Sequence, residues 1–135
     1  MPLPFGKSTV ILVHNLNMEA FAIDPTKVQD ISSRLLDDRG RLRVSSARTL
    51  AGTTAQERLL FGVREGIYCF PTDELCEFLR SRIEGRTAIE IGAGHGVLAE
   101  ALSIPATDNR QQEDPELKAY YAQIGQPTVP YGENV

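Results

Sequence analysis

The sequence predicts an α/β (or α+β) fold: a partial parallel sheet carried by residues 54–135, preceded by a small N-terminal α+β segment with a β-hairpin over residues 1–53. Three observations predict it. Short β-branched apolar runs alternate with segments of helical period, the pattern of strand–helix–strand units. The helical segments carry local start signals, such as Asp24-Pro25, Thr72-Asp73 and Asp114-Pro115. The run Thr87 to Leu102 reads as an apolar strand, a glycine-rich loop and a helix in direct succession.

The elements follow in order. Thr9 to Val13 is a β-branched apolar run and reads as a strand; Asn15-Leu16-Asn17 supplies turn chemistry, and Met18 to Ile23 returns as the second arm of a hairpin. Asp24-Pro25 is read as the opening of a helix, with Val28, Ile31, Leu35 and Leu36 at helical spacing until Gly40. Leu42 and Val44 alternate with Arg41 and Arg43, the pattern of a short edge strand. Ser45 to Thr54, rich in small polar residues, is read as a linker or mobile loop. Ala55 to Gly62 is helical and Ile67 to Phe70 a short strand stopped by Pro71. Thr72 then caps a helix over Asp73 to Ile83, with Leu75, Phe78, Leu79 and Ile83 as its apolar face. Asp73 and Glu74 sit in its first turn, Arg80 and Arg82 in its last, which suits the helix dipole. Ile104 to Thr107 is a further short strand, Asp108 to Glu113 a polar loop, and Pro115 to Ile124 a final helix closed by Gly125. The tail from Gln126 is irregular, or at most an edge strand at Thr128-Val129.

Composition narrows the function classes. The chain has 135 residues, 41% of them hydrophobic, enough for a core, and a formal net charge of -4. That charge argues against general nucleic-acid binding, which needs a positive surface. The arginines at 34, 39, 41, 43 and 48 are interrupted by Asp37 and Asp38 and read as a mixed solvated surface. Cys69 and Cys76 fit neither a CxxC pair nor a zinc motif and read as two buried free thiols. No metal site is expected. No segment approaches the ~20 apolar residues of a membrane span, and the N-terminus has no signal-peptide core. A cytoplasmic protein is expected.

The chemistry concentrates in Glu90-Ile91-Gly92-Ala93-Gly94-His95-Gly96. Gly92 permits a tight turn off the strand, Gly94 lets a ligand approach the main chain, and Gly96 lets the following helix lie close to the strand. The spacing G-x-G-x-G differs from the G-x-G-x-x-G of dinucleotide loops, which disfavours NAD and FAD.

This run, on a strand end and followed by a helix, resembles motif I of the class I S-adenosylmethionine-dependent methyltransferases. The wider run, about Glu57 to Val135, also resembles methyltransferase-like proteins of bacterial and phage genomes. The resemblance implies a partial Rossmann-like methyltransferase sheet whose loop, from Glu90 through Gly92, Ala93, Gly94, His95 and Gly96, packs on S-adenosylmethionine. Glu90 matches the acid used near the methionine amino group. Asp108, at the end of the next strand, matches the acid that binds the ribose hydroxyls. The family's later strands, which help bind the methyl acceptor, have no counterpart here, so catalytic positions are not assigned.

Other motifs read more plainly. Gly6-Lys7-Ser8-Thr9 lacks the upstream glycine and strand of a P-loop. His14 is a strand-end histidine. His95 has two readings, contact with the cofactor or a side chain pointing outward. Tyr121 joins Leu117 and Ile124 on a core face, while Tyr120 is exposed. Two functions follow as expectations. The first is an S-adenosylmethionine-binding methyltransferase-like protein whose acceptor site is supplied by another chain or further sequence. The second is a catalytically inactive phage-type inhibitor or regulator, in which the open sheet edge favours a protein partner or a homodimer. A truncated fragment is the third expectation.

Overall fold

The computed structural model describes residues 11–14 and 20–135. The Gly6–Thr9 run, the turn at 15–17 and the flanking strand residues 9, 10, 18 and 19 lie outside the described residues. The hairpin has β1 (Ile11–His14) antiparallel to β2 (Ala20–Ile23), with Ile11 opposite Ile23 and His14 opposite Ala20. Then come α1 (Ser32–Leu35), α2 (Ala47–Ala51), α3 (Ala55–Glu65) and α4 (Asp73–Ile83). The chain ends in β3 (Glu90–Ile91), α5 (Val97–Leu102), β4 (Ala106–Thr107), a 3-10 turn at Gln111–Glu113 and α6 (Pro115–Gln123). β3 and β4 pair in parallel, Glu90 with Ala106 and Ile91 with Thr107. The architecture is therefore mixed helix and strand, with a small parallel sheet around the glycine loop.

Several local signals act as the sequence predicts. Thr72 Oγ1 accepts from the Leu75 N–H at 3.1 Å and starts α4. Asp114 Oδ1 accepts from Glu116 and Leu117 N–H groups and starts α6, with Pro115 in its first turn. The sequence reading names no cap for α3, where Thr54 and Glu57 form a reciprocal capping box: Thr54 Oγ1 accepts from Glu57 N–H at 3.1 Å, and Glu57 Oε2 from Thr54 N–H at 2.7 Å. Thr54→Ala is expected to lower stability by about 1 kcal/mol, read as a shift in the urea midpoint; an unchanged midpoint contradicts it.

Other expectations are corrected. Asp24-Pro25 does not open a helix. Asp24 Oδ1 accepts from the Thr26 N–H and hydroxyl, and Asp30 Oδ1 does the same for Ser32, so these acids close local turns. Such side-chain bonds compete with helical hydrogen bonding, and α1 begins only at Ser32. The 41–44 edge strand reduces to one bridge, Leu36 to Leu42. Ser45 to Thr54 is no linker: Ser46 caps α2, and Ser45 bridges to Thr72. Glu74 Oε2 also accepts from Ala47 N–H at 2.8 Å. Ile67–Phe70 is not a strand, because the Ile67 N–H turns back to the Gly62 carbonyl at 3.1 Å and closes α3. The tail, by contrast, is irregular as the sequence predicts, with no strand at Thr128-Val129.

The core explains how these pieces hold the loop. Ile31, Leu35, Leu42, Phe61 and Ile67 form one buried cluster, and the partly buried Val97, the first residue of α5, packs on it. Ile23, Leu60 and Val63 form a second cluster on another face of α3. In α4 the buried position is Cys76, at 1% exposure, with Leu79 and Ile83 half-buried on the same side. Leu75 and Phe78 face outward, contrary to the predicted face, and Arg82 lies over the Phe78 ring at 5.1 Å. Only Cys76 is a buried thiol; Cys69 is exposed. Ile124 is exposed too, and Tyr121 is half-buried with its hydroxyl accepting from Gln112 Nε2. No helix among the described residues is long and apolar enough to cross a membrane.

Candidate functional site

The glycine loop leaves β3, bonds to the end of β4 and enters α5. Its main chain is tied to the neighbouring strand: the N–H groups of Gly92 and Ala93 both donate to the Thr107 carbonyl, at 2.8 and 3.1 Å. Gly92, Gly94 and Gly96 all lie in the left-handed region, with φ of 70°, 54° and 76°. A side chain is strained at each of them. The G-x-G-x-G pattern is therefore a backbone requirement in its own right.

The two acids flank this loop, as their placement in sequence implies. Asp108 directly follows β4. Its Oδ2 accepts from the Gly94 N–H at 2.9 Å and its Oδ1 from the Arg110 N–H at 2.8 Å. Glu90 Oε2 accepts from the Ala99 N–H at 2.9 Å, inside the first turn of α5. Gly96 precedes that helix and offers no side-chain cap, so Glu90 fills the role from the strand. A carboxylate oxygen accepts two hydrogen bonds, which leaves both acids acceptor capacity beyond these contacts.

His95 does not point away from the protein. Its ring is half-buried against Cys69. The Val97 N–H donates to Nδ1 at 3.2 Å, which fixes the tautomer: Nε2 carries the proton and donates to the Cys69 carbonyl at 3.4 Å. Burial holds the imidazole below its ordinary pKa, while the Cys69 carbonyl and the Glu90 carboxylate pull in the opposite direction. Just below the ordinary value of 6.5 the unfolded chain thus binds more protons than the folded one. The stability contributed by neutral His95 is complete above that value and is lost as pH falls through the lower folded pKa. His95→Gln is expected to lose less stability than the wild type between about pH 7.5 and about pH 5, measured by urea unfolding; equal losses contradict this. Although Cys69 is exposed at the surface, partial desolvation by the surrounding protein, followed by the nearby Glu90 carboxylate, raises its thiol pKa, which disfavours the reactive thiolate.

The close approach at Gly96 comes from an unexpected direction. A Cβ there would stand 2.6 Å from Val135 Cγ2, and one on Gly94 would stand 3.5 Å from Val129 Cγ1. The neighbours that Gly94 and Gly96 admit are residues of the tail, whereas the sequence suggested a ligand at Gly94 and the β3 strand at Gly96. Nothing lies within 4 Å of a Cβ on Gly92, so that end of the loop is open.

Sequence reasoning missed the residues that organise this region. Arg110 takes a left-handed φ of 51°, pairs with Glu113 at 2.7 Å and reaches the carbonyls of Gly132 and Val135. The Glu113 contact raises the Arg110 pKa and lowers that of Glu113. Gln112 Oε1 accepts from the Val129 N–H. The i, i+3 spacing of Arg110 and Glu113 was the one local signal available. Comparison of the chain with protein-family models, curated proteins and solved structures gives no match.

Proposed function

We propose that the β3–loop–α5–β4 unit binds S-adenosylmethionine, as one half of a Rossmann-like, class I methyltransferase-like sheet. One observation carries the reading: parallel pairing brings Asp108, at the end of β4, to the loop that leaves the end of β3, with Gly94 N–H 2.9 Å from its carboxylate. Ligands of open α/β sheets lie at the carboxyl ends of adjacent parallel strands. The residues fit such a cofactor in kind. Asp108 keeps lone pairs for a pair of ribose hydroxyls, and the loop presents main chain without side chains at its open Gly92 end. When bound, the cofactor supplies an activated methyl group on a sulfonium centre. The chain's own contribution is to hold the adenosyl portion in one orientation, since positioning is a large part of such transfer.

The test is calorimetric titration with S-adenosylmethionine and S-adenosylhomocysteine. Micromolar binding of either is the expected result. A folded chain that gives no signal at millimolar ligand overturns the reading.

A second reading, of a catalytically inactive protein that binds another protein or itself, is favoured by β3. Ile91 is 80% exposed and Ile89 beside it is also exposed, on a sheet of only two strands among the described residues. Solution mass separates the readings: a dimer or a tight complex that shields these residues supports the second, and a monomer with ligand affinity supports the first.

A further inference from the structure

Residues 128–135 form no helix or strand, yet they are pinned across the glycine loop. The Thr128 carbonyl meets Gly66 at the end of α3. The Val129 N–H donates to Gln112 Oε1 at 2.8 Å, and the Tyr131 hydroxyl accepts from the Gln112 N–H at 3.2 Å. The Gly132 N–H donates to the Gly94 carbonyl at 3.1 Å. Arg110 Nη1 donates to the carbonyls of Gly132 and Val135 at 3.2 and 3.1 Å, and its guanidinium stacks 5.0 Å from the Tyr131 ring centre. The segment therefore touches the loop where a ligand approaching Gly94 and Gly96 would lie, with Val129 and Val135 side chains already there.

Two features suit this segment to opening. None of its residues is fully buried, and its ties are polar groups that water can replace. Segments held this way open at lower cost than a packed core. Arg110 also links the segment to the site's acid, because its own N–H binds Asp108 while its side chain holds Gly132 and Val135. A left-handed, non-glycine Arg110 is the kind of locally strained residue that the surrounding contacts must hold in place.

We propose that residues 128–135 are a strap latched by Arg110 over the glycine loop, and that a nucleoside-type ligand reaches Gly94 and Gly96 only by displacing it. The ligand's identity rests on the S-adenosylmethionine reading above; the strap's opening does not. The apparent affinity is then the intrinsic affinity multiplied by the fraction of chains with the strap open.

Gly132→Ala tests this in the full chain. A Cβ at Gly132 would stand 2.7 Å from the His95 carbonyl oxygen and 3.1 Å from Val135 Cγ2, so it forces the strap outward without removing a group from the loop. In amide hydrogen exchange without ligand, the Val129 and Gly132 amides are expected to open together, faster than those of α3. The variant should accelerate both by up to about tenfold, the ceiling set by a strap open in about a tenth of the chains, and leave α3 unchanged. Exchange of these amides only at the α3 rate, or no acceleration in the variant, overturns the strap. In titration with S-adenosylhomocysteine, the variant is expected to bind up to about tenfold tighter, if the strap is open in about a tenth of the chains. Equal or weaker binding overturns the gating. No binding by either chain at millimolar ligand, with the exchange result as expected, overturns the cofactor reading and supports the strap as a device that closes the loop.

Discussion

Phe61→Ala is expected to remove about 3–5 kcal/mol of folding stability, the largest loss of any single substitution proposed for this chain. Phe61 is 3% exposed and sits in the cluster that joins Ile31, Leu35 and Leu42 to Ile67. Its ring lies 5.8 Å from that of Phe70, and Val97 packs on the same cluster. The substitution removes apolar area and leaves a cavity that the surrounding backbone fills only in part. Domains of this size are stable by only about 5–15 kcal/mol, so the loss is a large share of the whole. Urea unfolding followed by circular dichroism reads it directly. Phe78→Ala on the outer face of α4, where the ring is 53% exposed, is the control and should cost less than about 1 kcal/mol. A Phe61→Ala loss as small as the control contradicts the core assignment.

Asp108→Ala is expected to weaken the loop and the ligand site together. One carboxylate there serves two chain segments, Gly94 N–H through Oδ2 and Arg110 N–H through Oδ1. Hydrogen bonds to a charged acceptor contribute about 1.5–3 kcal/mol each when buried. Asp108 is only half-buried and water can replace part of that, so the lower end, about 1.5 kcal/mol, is the expected loss of stability. Binding of S-adenosylhomocysteine should fall at least about tenfold, which is the loss of roughly one good polar contact. Asp108→Asn separates the two roles. The amide oxygen still accepts one of the two backbone N–H bonds and recovers part of the stability, but its NH2 cannot accept from a ribose hydroxyl. Restored stability with restored affinity would place Asp108 in the loop's structure alone.

The legible parts of this chain share one property: their physics is local. Thr54 with Glu57, Thr72 with Leu75 and Asp114 with Glu116 are contacts within three residues; the sequence reading names the Thr72 and Asp114 signals and begins α3 at Ala55 without naming its cap. The order strand, glycine loop, helix, strand is also local, as are the backbone torsions that the three glycines allow. Where local signals compete, sequence reading fails. Asp24-Pro25 has the composition of a helix start, but the acid closes its own turn onto Thr26. Ser45 to Thr54 looks like a linker because its small polar residues lack hydrophobic period, yet Ser46 and the distant Glu74 give α2 its caps.

The sequence by itself determined that this chain builds a strand-to-helix glycine loop flanked by two acids, because glycine torsions and helix caps depend on neighbours a few positions away. Only the tertiary structure decided what those groups face. It turned the α4 surface so that Cys76 is buried and Leu75 and Phe78 are exposed, and it turned His95 inward to Cys69. It also joined Glu90 to Ala99, Asp108 to Gly94, and residues 129–135 to the loop through Arg110 and Gln112. Each of these depends on pairing between residues far apart in the chain, where local propensity carries no information and packing sets the outcome.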